Sequence, residues 1–279
     1  MALVVAVIAP GTMGAAVGKR FVDHGLKVLT SLQGRSRETA SRAKNARMVA
    51  ASDEEIASAD FLLSILPPGD ALSLAQRFVP SLGASDSKPV YVDCNAISPA
   101  TLESVAATIA PTGCPFVDAG IIGPPAAPRF YVSGPAAPRL ATLRDYGLDV
   151  RVLDGALGAA SALKMSYAGI TKGTQAIGAA MILAAARAGS AQALLEELQF
   201  SQKEMFAWLK RNLATMPPKA YRWVAEMHEI ADFVGDDPAA RELYRGAANF
   251  YERIAEDFAA DKKDVSALMA FSGKNSPGR

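Results

Sequence analysis

The segment VVAVIAPGTMGAAVGKRFVDHGLKV, residues 4–28, constrains the fold more than any other part of the chain. It predicts a buried apolar strand, a glycine-containing turn, a helix that ends at Gly25 and a second strand. A strand, a tight turn and a helix in this order open a doubly wound α/β sheet of parallel strands. Glycine occupies positions 11 and 14 of the turn, and Ala9 stands where such turns usually have their first glycine.

This turn has the pattern of a dinucleotide-binding site. Such a site needs backbone amides that approach a pyrophosphate and a helix whose N-terminus faces the anion. Ala9 is compatible with the turn as long as its φ is negative, because only a positive φ would require glycine. The sequence therefore predicts a dinucleotide site at Gly11, Thr12, Met13 and Gly14. The alternative is an ordinary strand–helix–strand unit without a ligand.

Residues at the end of the second strand indicate whether the cofactor is NAD or NADP. A carboxylate at this place usually holds the 2′-hydroxyl of NAD, whereas guanidinium and hydroxyl donors suit the 2′-phosphate of NADP. Residues 30–33 contain no carboxylate, and Gly34, Arg35, Ser36 and Arg37 follow them. We therefore predict NADP(H) rather than NAD(H), with Arg35 and Ser36 as cofactor-binding residues. The alternative is a solvated loop with two ordinary arginines.

The remaining chain predicts two domains of different classes. Short β-branched runs alternate with helical segments up to about residue 155, which is the spacing of a parallel sheet covered by helices. Strand signals almost cease afterwards, and one long helix is expected over Gly158–Arg187. We predict an α/β Rossmann-like domain over residues 1–155, an all-α domain over residues 156–272 and a polar, disordered tail over residues 273–279.

Composition argues against several classes of function. The formal net charge of the 279-residue chain is +1, which argues against nucleic acid as a partner. The longest apolar run, residues 176–186, is too short to span a bilayer. The two cysteines and two histidines lack the spacing of a zinc site, and so few cysteines suit a reducing cytoplasm. We expect a cytoplasmic protein without metal, membrane or nucleic-acid partners.

Several short motifs appear in an order that is typical of a known family. They are Gly11–Gly14, Ile65–Pro67, Asp93–Pro99, Asp118–Gly123 and, on the expected long helix, Gly158 with Lys164. Together they resemble the β-hydroxyacid dehydrogenases, the group related to 6-phosphogluconate and 3-hydroxyisobutyrate dehydrogenases. The resemblance covers residues 1 to about 190. Residues 221–230 resemble an uncharacterised helical domain that occurs in a minor branch of that superfamily.

The resemblance implies roles for residues that follow the fourth and fifth strands. In the family, the turn after the fourth strand contacts the nucleotide, which points to Leu66 and Pro67. The segment after the fifth strand supplies a small polar group to the substrate. Its match is Asn95, whose amide can donate to a carboxylate or a hydroxyl.

The family motif that ends in Ser-Gly-Gly and holds a carboxylate is altered here. Its matches are Ile122, Gly123 and Pro124, so a hydroxyl and one amide donor are lost. We therefore expect Ile122 and Gly123 to contribute to a substrate pocket that is more apolar than in the family. Arg129 is close enough in sequence to replace the anchor, although a solvated arginine is the simpler interpretation.

Lys164 is the catalytic residue that the resemblance implies. The family's lysine lies on the long helix after the first domain and exchanges a proton with the carbinol oxygen. Lysine suits this role because burial shifts its pKa readily. The family asparagine one turn later is Ala168 here, and Tyr167 on nearly the same helix face is its predicted substitute in substrate binding. The alternative for Tyr167 is packing between helices.

These expectations define one leading function and two alternatives. We predict an NADP-dependent oxidoreductase that acts on a small, relatively apolar hydroxy acid or related alcohol. The altered motifs leave open an imine or enamine reductase on the same scaffold and a dinucleotide-binding protein without turnover. The imine-reducing relatives usually lack the lysine. Glycines in the long helix indicate close helix packing, and we expect a homodimer formed through the helical domain.

Overall fold

The computed structural model describes residues 3–273 and divides the chain into two compact units, Met1–Met165 and Ser166–Arg279. The division falls inside one long helix, later in the chain than the predicted boundary near residue 155. Of the predicted tail, residues 274–279 lie outside the described residues, and Gly273 belongs to a turn after the last helix.

Within the described residues, the first unit is built on a sheet of eight strands. They are β1 (Val4–Ile8), β2 (Lys27–Thr30), β3 (Val49–Ala50), β4 (Phe61–Ser64), β5 (Val90–Asp93), β6 (Phe116–Ile122), β7 (Arg129–Ser133) and β8 (Asp149–Val152). Their order in the sheet is β3-β2-β1-β4-β5-β6-β7-β8. The first six strands are parallel, β7 is antiparallel to β6, and β8 is parallel to β7. The predicted Rossmann-like sheet is confirmed, with two reversed strands at one edge.

Two features of this edge differ from the sequence prediction. The strand β8 was not predicted, because three of its four side chains are exposed and it lacks the apolar run of a buried strand. The pattern of Phe116–Asp118 predicts only a short strand, whereas β6 continues to Ile122, because pairing with β7 extends it until Ile122 lies opposite Arg129. Both features depend on strand pairing rather than on the local pattern.

Helices cover both faces of the sheet. They are α1 (Thr12–Asp23), α2 (Arg37–Asn45), α3 (Asp53–Ala57), α4 (Ala71–Ala84), α5 (Pro99–Ile109) and α6 (Ala137–Leu140). Side chains of α1, α2 and α6 pack on one face, and those of α3, α4 and α5 pack on the other. Val5 and Val7 of β1 belong to the first cluster, and Ala6 and Ile8 belong to the second. A strand that is covered on both faces needs such an unbroken apolar run.

Residues 166–273 of the second unit form helices joined by turns and contain no strand. Its helices are the larger part of α7 (Ala159–Arg187), then α8 (Ala191–Ser201), α9 (Lys203–Leu213), α10 (Ala220–Phe233), α11 (Pro238–Ala259) and α12 (Lys263–Phe271). The predicted all-α character is therefore confirmed. Close packing on α7 occurs at Gly169, where a Cβ atom would lie 2.8 Å from the hydroxyl of Tyr244 on α11.

A buried polar cluster holds α7, α10 and α11 together. Lys172 forms an ion pair with Glu226, and its ammonium lies 5.1 Å from the centroid of the Trp223 ring. The hydroxyl of Tyr251 donates to the backbone oxygen of Lys172 at 2.6 Å. Burial, with a smaller contribution from Glu226, raises the pKa of Tyr251, so this phenol stays neutral and keeps its donor.

Candidate active site

The turns that contain most of the predicted site residues of the first unit lie at one end of the sheet. Strands β1 to β6 are parallel, so the turns that follow them lie at the same end of the sheet. The strand β1 lies between β2 and β4, where the strand order reverses. Doubly wound sheets bind their ligand in the crevice at this point.

The turn after β1 has a geometry that requires one of its glycines. The amide of Gly11 donates to the backbone oxygen of Ala9 at 2.8 Å. A Cβ atom on Gly14 would lie 2.0 Å from the same oxygen, so only glycine fits there. Ala9 itself is not among the described non-glycine residues with a positive φ, and it therefore fits the tight turn as predicted.

The start of α1 fits an anionic group such as a pyrophosphate. The helix begins at Thr12 without a side-chain cap, and its first turn contains no acidic residue. No acidic side chain of the first turn therefore competes with an anionic ligand for the first amides of the helix, including that of Met13. From α2, Nε of Arg42 donates to the backbone oxygen of Pro10 at 3.2 Å and holds the turn in place.

The two residues predicted to bind the cofactor after β2 occupy a loop and a helix cap. Ser36 caps α2, since its hydroxyl accepts from the amide of Thr39 at 3.2 Å. Arg35 precedes it with a half-buried side chain. Sequence reasoning missed Arg77 of α4, whose guanidinium donates to Ser31 and Gln33 at the end of β2. No local pattern could have found this contact, because 44 residues separate Arg77 from Gln33.

Asn95 is buried in a hydrogen-bond network between the ends of β4 and β5. Its side-chain oxygen accepts from the amide of Leu66 at 2.6 Å. Its amide nitrogen donates to the hydroxyl of Ser64 and to the carboxylate of Asp93, each at 2.9 Å. Asn95 thus holds the turn that contains Leu66 and Pro67. Its predicted contact with a substrate stays a prediction.

Cys94 lies beside this network, and its thiol has low reactivity as a nucleophile. Its thiol is buried, and burial together with the nearby carboxylates of Asp93 and Asp118 raises its pKa well above the usual range. The thiol therefore remains protonated at neutral pH, and a protonated thiol is a poor nucleophile.

The buried carboxylate of Asp118 on β6 caps α7. Its Oδ2 accepts from the amides of Ala160 and Ser161 at 2.9 and 3.0 Å and from the hydroxyl of Ser133 at 2.8 Å. Its Oδ1 accepts from the hydroxyl of Ser161 at 2.7 Å. A carboxylate is stabilised at a helix N-terminus by the unpaired amides and by the helix dipole. The start of α7 is therefore fixed against β6.

Lys164 lies one turn further along α7, against the same strand. Its Nζ donates to the backbone oxygen of Ile121 at 2.8 Å, and its side chain is half-buried. The helix approaches the strand closely at Gly120, where a Cβ atom would lie 2.7 Å from the oxygen of Ala160 and 3.1 Å from the Cβ of Lys164. The glycine of the Asp-Ala-Gly motif thus makes room for the lysine.

The loop after β6 contains the altered Ser-Gly-Gly motif. Ile122 is buried, and Gly123 is exposed with a φ of +111°. A Cβ atom on Gly123 would lie 2.8 Å from the backbone oxygen of Ala127, so the turn requires glycine. Arg20 of α1 donates to the backbone oxygen of Ala126 at 2.6 Å and ties this loop to the helix of the dinucleotide turn.

Tyr167 belongs to the second unit. It lies on α7 with a side chain that is 47% exposed, and its backbone oxygen accepts from the hydroxyl of Thr171 at 2.8 Å. Its predicted role in substrate binding stays a prediction.

Residues 3–273 contain neither a cluster of metal-binding side chains nor a helix that could span a membrane. No group of histidine, cysteine, aspartate and glutamate side chains in this range could hold a metal ion. None of the helices in this range combines the length and the apolar character needed to cross a membrane.

Comparison with protein-family models defines the class. Residues 4–129 match the NAD binding domain of 6-phosphogluconate dehydrogenase, and residues 185–254 match a domain of unknown function, DUF1932. The chain therefore combines a 6-phosphogluconate dehydrogenase-like NAD-binding domain with a C-terminal DUF1932 domain.

Individual relatives agree with this assignment. A protein of Methanothermus fervidus, described as an uncharacterized 28.5 kDa protein in the 7S RNA 5′ region, is 27% identical over 250 residues, which are 88% of this chain and 96% of the relative. A conserved protein of unknown function, whose structure is described as similar to 3-hydroxyacid dehydrogenases, is 29% identical with a TM-score of 0.69 and coverages of 91% and 97%. The 3-hydroxyisobutyrate dehydrogenase of Salmonella typhimurium has a TM-score of 0.69 at 19% identity, with coverages of 95% and 98%.

Further solved structures with this fold include two imine reductases, one of them in complex with NAD+, and a protein in complex with NADP+. The predicted resemblance is confirmed. The match of residues 4–129 and the likeness to the 29% identical protein of 3-hydroxyacid dehydrogenase-like structure are consistent with an NAD(P)-dependent dehydrogenase or reductase of this type.

Proposed function

We propose that the protein is an NADP-dependent oxidoreductase that interconverts a hydroxyl-bearing carbon and a carbonyl. Its substrate is a small, relatively apolar hydroxy acid or related alcohol, and Lys164 is the general acid and base. The nicotinamide, when bound, supplies or accepts the hydride. The residues of the chain hold the dinucleotide, place the substrate and move the proton.

The position of Lys164 carries this proposal. The ammonium group has three hydrogens, and the bond to the oxygen of Ile121 uses one of them. The others are available for a substrate oxygen. In the reducing direction Lys164 donates a proton to the oxygen of the new alcohol, and in the oxidising direction the neutral amine accepts the hydroxyl proton. A general acid or base must lie within hydrogen-bond reach of that oxygen, which the anchored side chain favours.

The preference for NADP is supported by the charges near the end of β2. Residues 30–33 contain no carboxylate, and the guanidinium groups of Arg35 and Arg77 belong to this region of the first unit. Ser36 and the turn of Gly11 to Gly14 complete the proposed cofactor site, together with Leu66 and Pro67. Among proteins of the same fold, one is solved with NADP+ and one with NAD+, so binding must decide this preference.

The substrate class follows from the altered loop after β6. Ile122 and Pro124 replace groups that would hold a carboxylate, and proline has no amide hydrogen. Gly123 keeps one backbone amide in the loop. This chemistry favours a substrate with a larger apolar part than a simple hydroxy acid, placed with the help of Asn95 and Tyr167.

A second candidate is an imine or enamine reductase. The same loss of carboxylate-binding groups favours it, and imine reductases share the fold. The presence of Lys164 favours alcohol–carbonyl chemistry instead. A third candidate, a protein that binds a dinucleotide without turnover, is favoured by the replacement of the family asparagine by Ala168.

We also propose that the protein is a homodimer formed through the second unit and that it acts in the cytoplasm. Tyr167, Ile170, Ile177 and Met181 recur at helical spacing on α7, and each is 47% exposed or more. Such an apolar stripe suits a second copy of the chain. A cytoplasmic location is supported by the two cysteines, which are buried and form no disulfide.

Replacement of Lys164 by alanine tests the proposed chemistry. The assay follows reduced nicotinamide with panels of small hydroxy acids, carbonyl compounds and imines. We expect the rate with alcohols and carbonyls to fall by about two orders of magnitude or more, with unchanged affinity for the dinucleotide. Lys88→Ala is the matched control, because Nζ of Lys88 also donates to backbone oxygens, those of Leu82 and Gly83, at 3.0 Å.

The three candidates give different results in this assay. An unchanged carbonyl rate in Lys164→Ala contradicts the proposed role of the lysine. Turnover of imines alone supports the second candidate. Tight dinucleotide binding by the wild-type protein without turnover of any panel supports the third.

A further inference from the structure

A guanidinium from a distant helix lies at the end of β2. Arg77 of α4 donates from Nη2 to the hydroxyl of Ser31 at 2.8 Å and to the side-chain oxygen of Gln33 at 2.9 Å. Both acceptors follow β2 within three residues. This is the place in a doubly wound sheet where the 2′-position of the adenosine ribose distinguishes NADP from NAD.

The same guanidinium forms a bidentate pair with Asp53, the first residue of α3. Nε donates to Oδ2 at 2.8 Å, and Nη2, whose two hydrogens are shared among the oxygens of Ser31, Gln33 and Asp53, lies 2.6 Å from Oδ1. The side chains are only 29% and 19% exposed, so water screens the pair less than it would on an open surface. A bidentate pair has a fixed orientation. Arg77 therefore connects a carboxylate of α3 to the two polar residues that follow β2.

We propose, on the basis of the dinucleotide site proposed above, that Arg77 is a specificity-determining residue that masks the charge of Asp53. Each oxygen of Asp53 accepts one hydrogen bond from Arg77, and the guanidinium compensates the negative charge, so the carboxylate attracts a ribose hydroxyl less strongly. Without Arg77 an uncompensated negative charge would remain near the end of β2. That charge would repel a 2′-phosphate and accept hydrogen bonds from a 2′-hydroxyl.

Arg77 also determines which atoms of Ser31 and Gln33 accept hydrogen bonds and which donate them. Both side-chain oxygens accept from Nη2, so their own hydrogens, the hydroxyl of Ser31 and the amide hydrogens of Gln33, are directed to other acceptors. A phosphate offers only acceptor oxygens at neutral pH, whereas ribose hydroxyls need acceptors as well as donors. Ser31 is buried and Gln33 is exposed, so the amide hydrogens of Gln33 are the accessible donors beside the masked carboxylate, and this arrangement favours the 2′-phosphate.

The test measures binding of two probes that lack the nicotinamide, adenosine 2′,5′-bisphosphate and AMP, by titration calorimetry. We expect the wild-type protein to bind the bisphosphate more tightly. Arg77→Gln should weaken the bisphosphate by at least about tenfold, the range of a hydrogen bond to a charged group, and should leave AMP unchanged or tighter. Adding Asp53→Asn to Arg77→Gln should recover most of the loss, because it removes the charge that Arg77 masks.

Arg151→Gln is the matched control. Arg151 forms the same type of bidentate pair with Asp149 at 3.0 Å, on β8 at the opposite edge of the sheet from β3. Its replacement should leave both affinities unchanged. Thermal unfolding of each variant checks the fold. If Arg77→Gln does not fold, Arg77→Lys replaces it in the test. Arg77→Lys keeps the charge without the bidentate geometry, and we expect it to lose less bisphosphate affinity than Arg77→Gln.

The outcomes separate this inference from the proposed function. Equal weakening of both probes in Arg77→Gln, or no recovery on adding Asp53→Asn, overturns the masking role and leaves the oxidoreductase proposal intact. Equal wild-type affinity for the two probes overturns the NADP preference, while the masking role is still decided by the change in bisphosphate affinity. Binding of neither probe by the wild-type protein overturns both.

Discussion

Asp118 and Ser161 are joined by two hydrogen bonds, from the amide of Ser161 to Oδ2 at 3.0 Å and from its hydroxyl to Oδ1 at 2.7 Å. Asp118 lies on β6 and Ser161 lies in the first turn of α7, so this pair connects the strand to the start of the helix. Lys164 follows one turn later and donates to Ile121 of the same strand. The placement of the proposed catalytic lysine therefore depends on the buried carboxylate that caps its helix.

The Asp118–Ser161 pair predicts the effect of removing one hydroxyl. Ser161→Ala takes away a donor to a buried carboxylate, and we expect the free energy of unfolding to fall by about 1–3 kcal/mol in urea titrations. Ser161→Thr keeps the hydroxyl and should lose less. The control is Ser104→Ala, where an exposed hydroxyl donates to the oxygen of Ala100, with an expected change within about 0.5 kcal/mol. A similar loss in both alanine variants contradicts the importance of the pair.

Replacement of the two glycines of the first turn by alanine should change the stability of the protein to different degrees. A Cβ atom on Gly14 would overlap the oxygen of Ala9, so Gly14→Ala should destabilise the first unit by about 1–3 kcal/mol, the usual cost of overpacking. It should also weaken dinucleotide binding. Gly11 has open space around its Cβ position and a φ of −68°, so Gly11→Ala should leave stability nearly unchanged. Thermal unfolding of the two variants in parallel checks this, and equal shifts would sink the steric explanation.

The buried pair in the second unit predicts a large stability effect. The side chains of Lys172 and Glu226 are 16% and 8% exposed. Lys172→Met leaves the carboxylate of Glu226 without its ion-pair partner, and we expect a loss of about 3–5 kcal/mol in chemical unfolding. Arg245→Met breaks a surface pair with Glu242 instead and should cost less than about 1 kcal/mol. Comparable losses from the two variants would show that burial of the Lys172–Glu226 pair is not decisive.

The exposed stripe on α7 predicts the oligomeric state. A double variant, Ile170→Asp with Ile177→Asp, places charges on the proposed dimer face and should convert the dimer to a monomer in light scattering coupled to size-exclusion chromatography. Leu243→Asp changes an exposed apolar residue of α11 outside the stripe and should leave the dimer intact. A wild-type protein that is monomeric at all concentrations tested rules out the proposed homodimer.

The local parts of the fold could be read from the sequence because they depend on neighbouring residues. The apolar run of β1, the glycine at position 14 and the start of α1 lie within a few residues of one another. Ser98 caps α5 by accepting from the amide of Thr101 at 3.2 Å, and Pro99 occupies the first turn, which is the usual arrangement for a Ser-Pro dipeptide at the start of a helix. Lys164 was proposed on different grounds, because only the resemblance to a known family distinguishes it from an ordinary lysine on a helix.

The sequence by itself thus determined the class of fold and the dinucleotide turn, because periodicity, turn chemistry and capping act over short distances, and its resemblance to a family pointed to Lys164. Only the tertiary structure brought Arg77 to Asp53 and to the end of β2, attached the start of α7 to Asp118, and paired β8 at the sheet edge. These contacts join residues that are 20 to 46 positions apart, and no local pattern encodes which of them meet. They form when the strands pair and the helices pack on the sheet. Polar groups that become buried in this step lose their water and must then form hydrogen bonds within the protein.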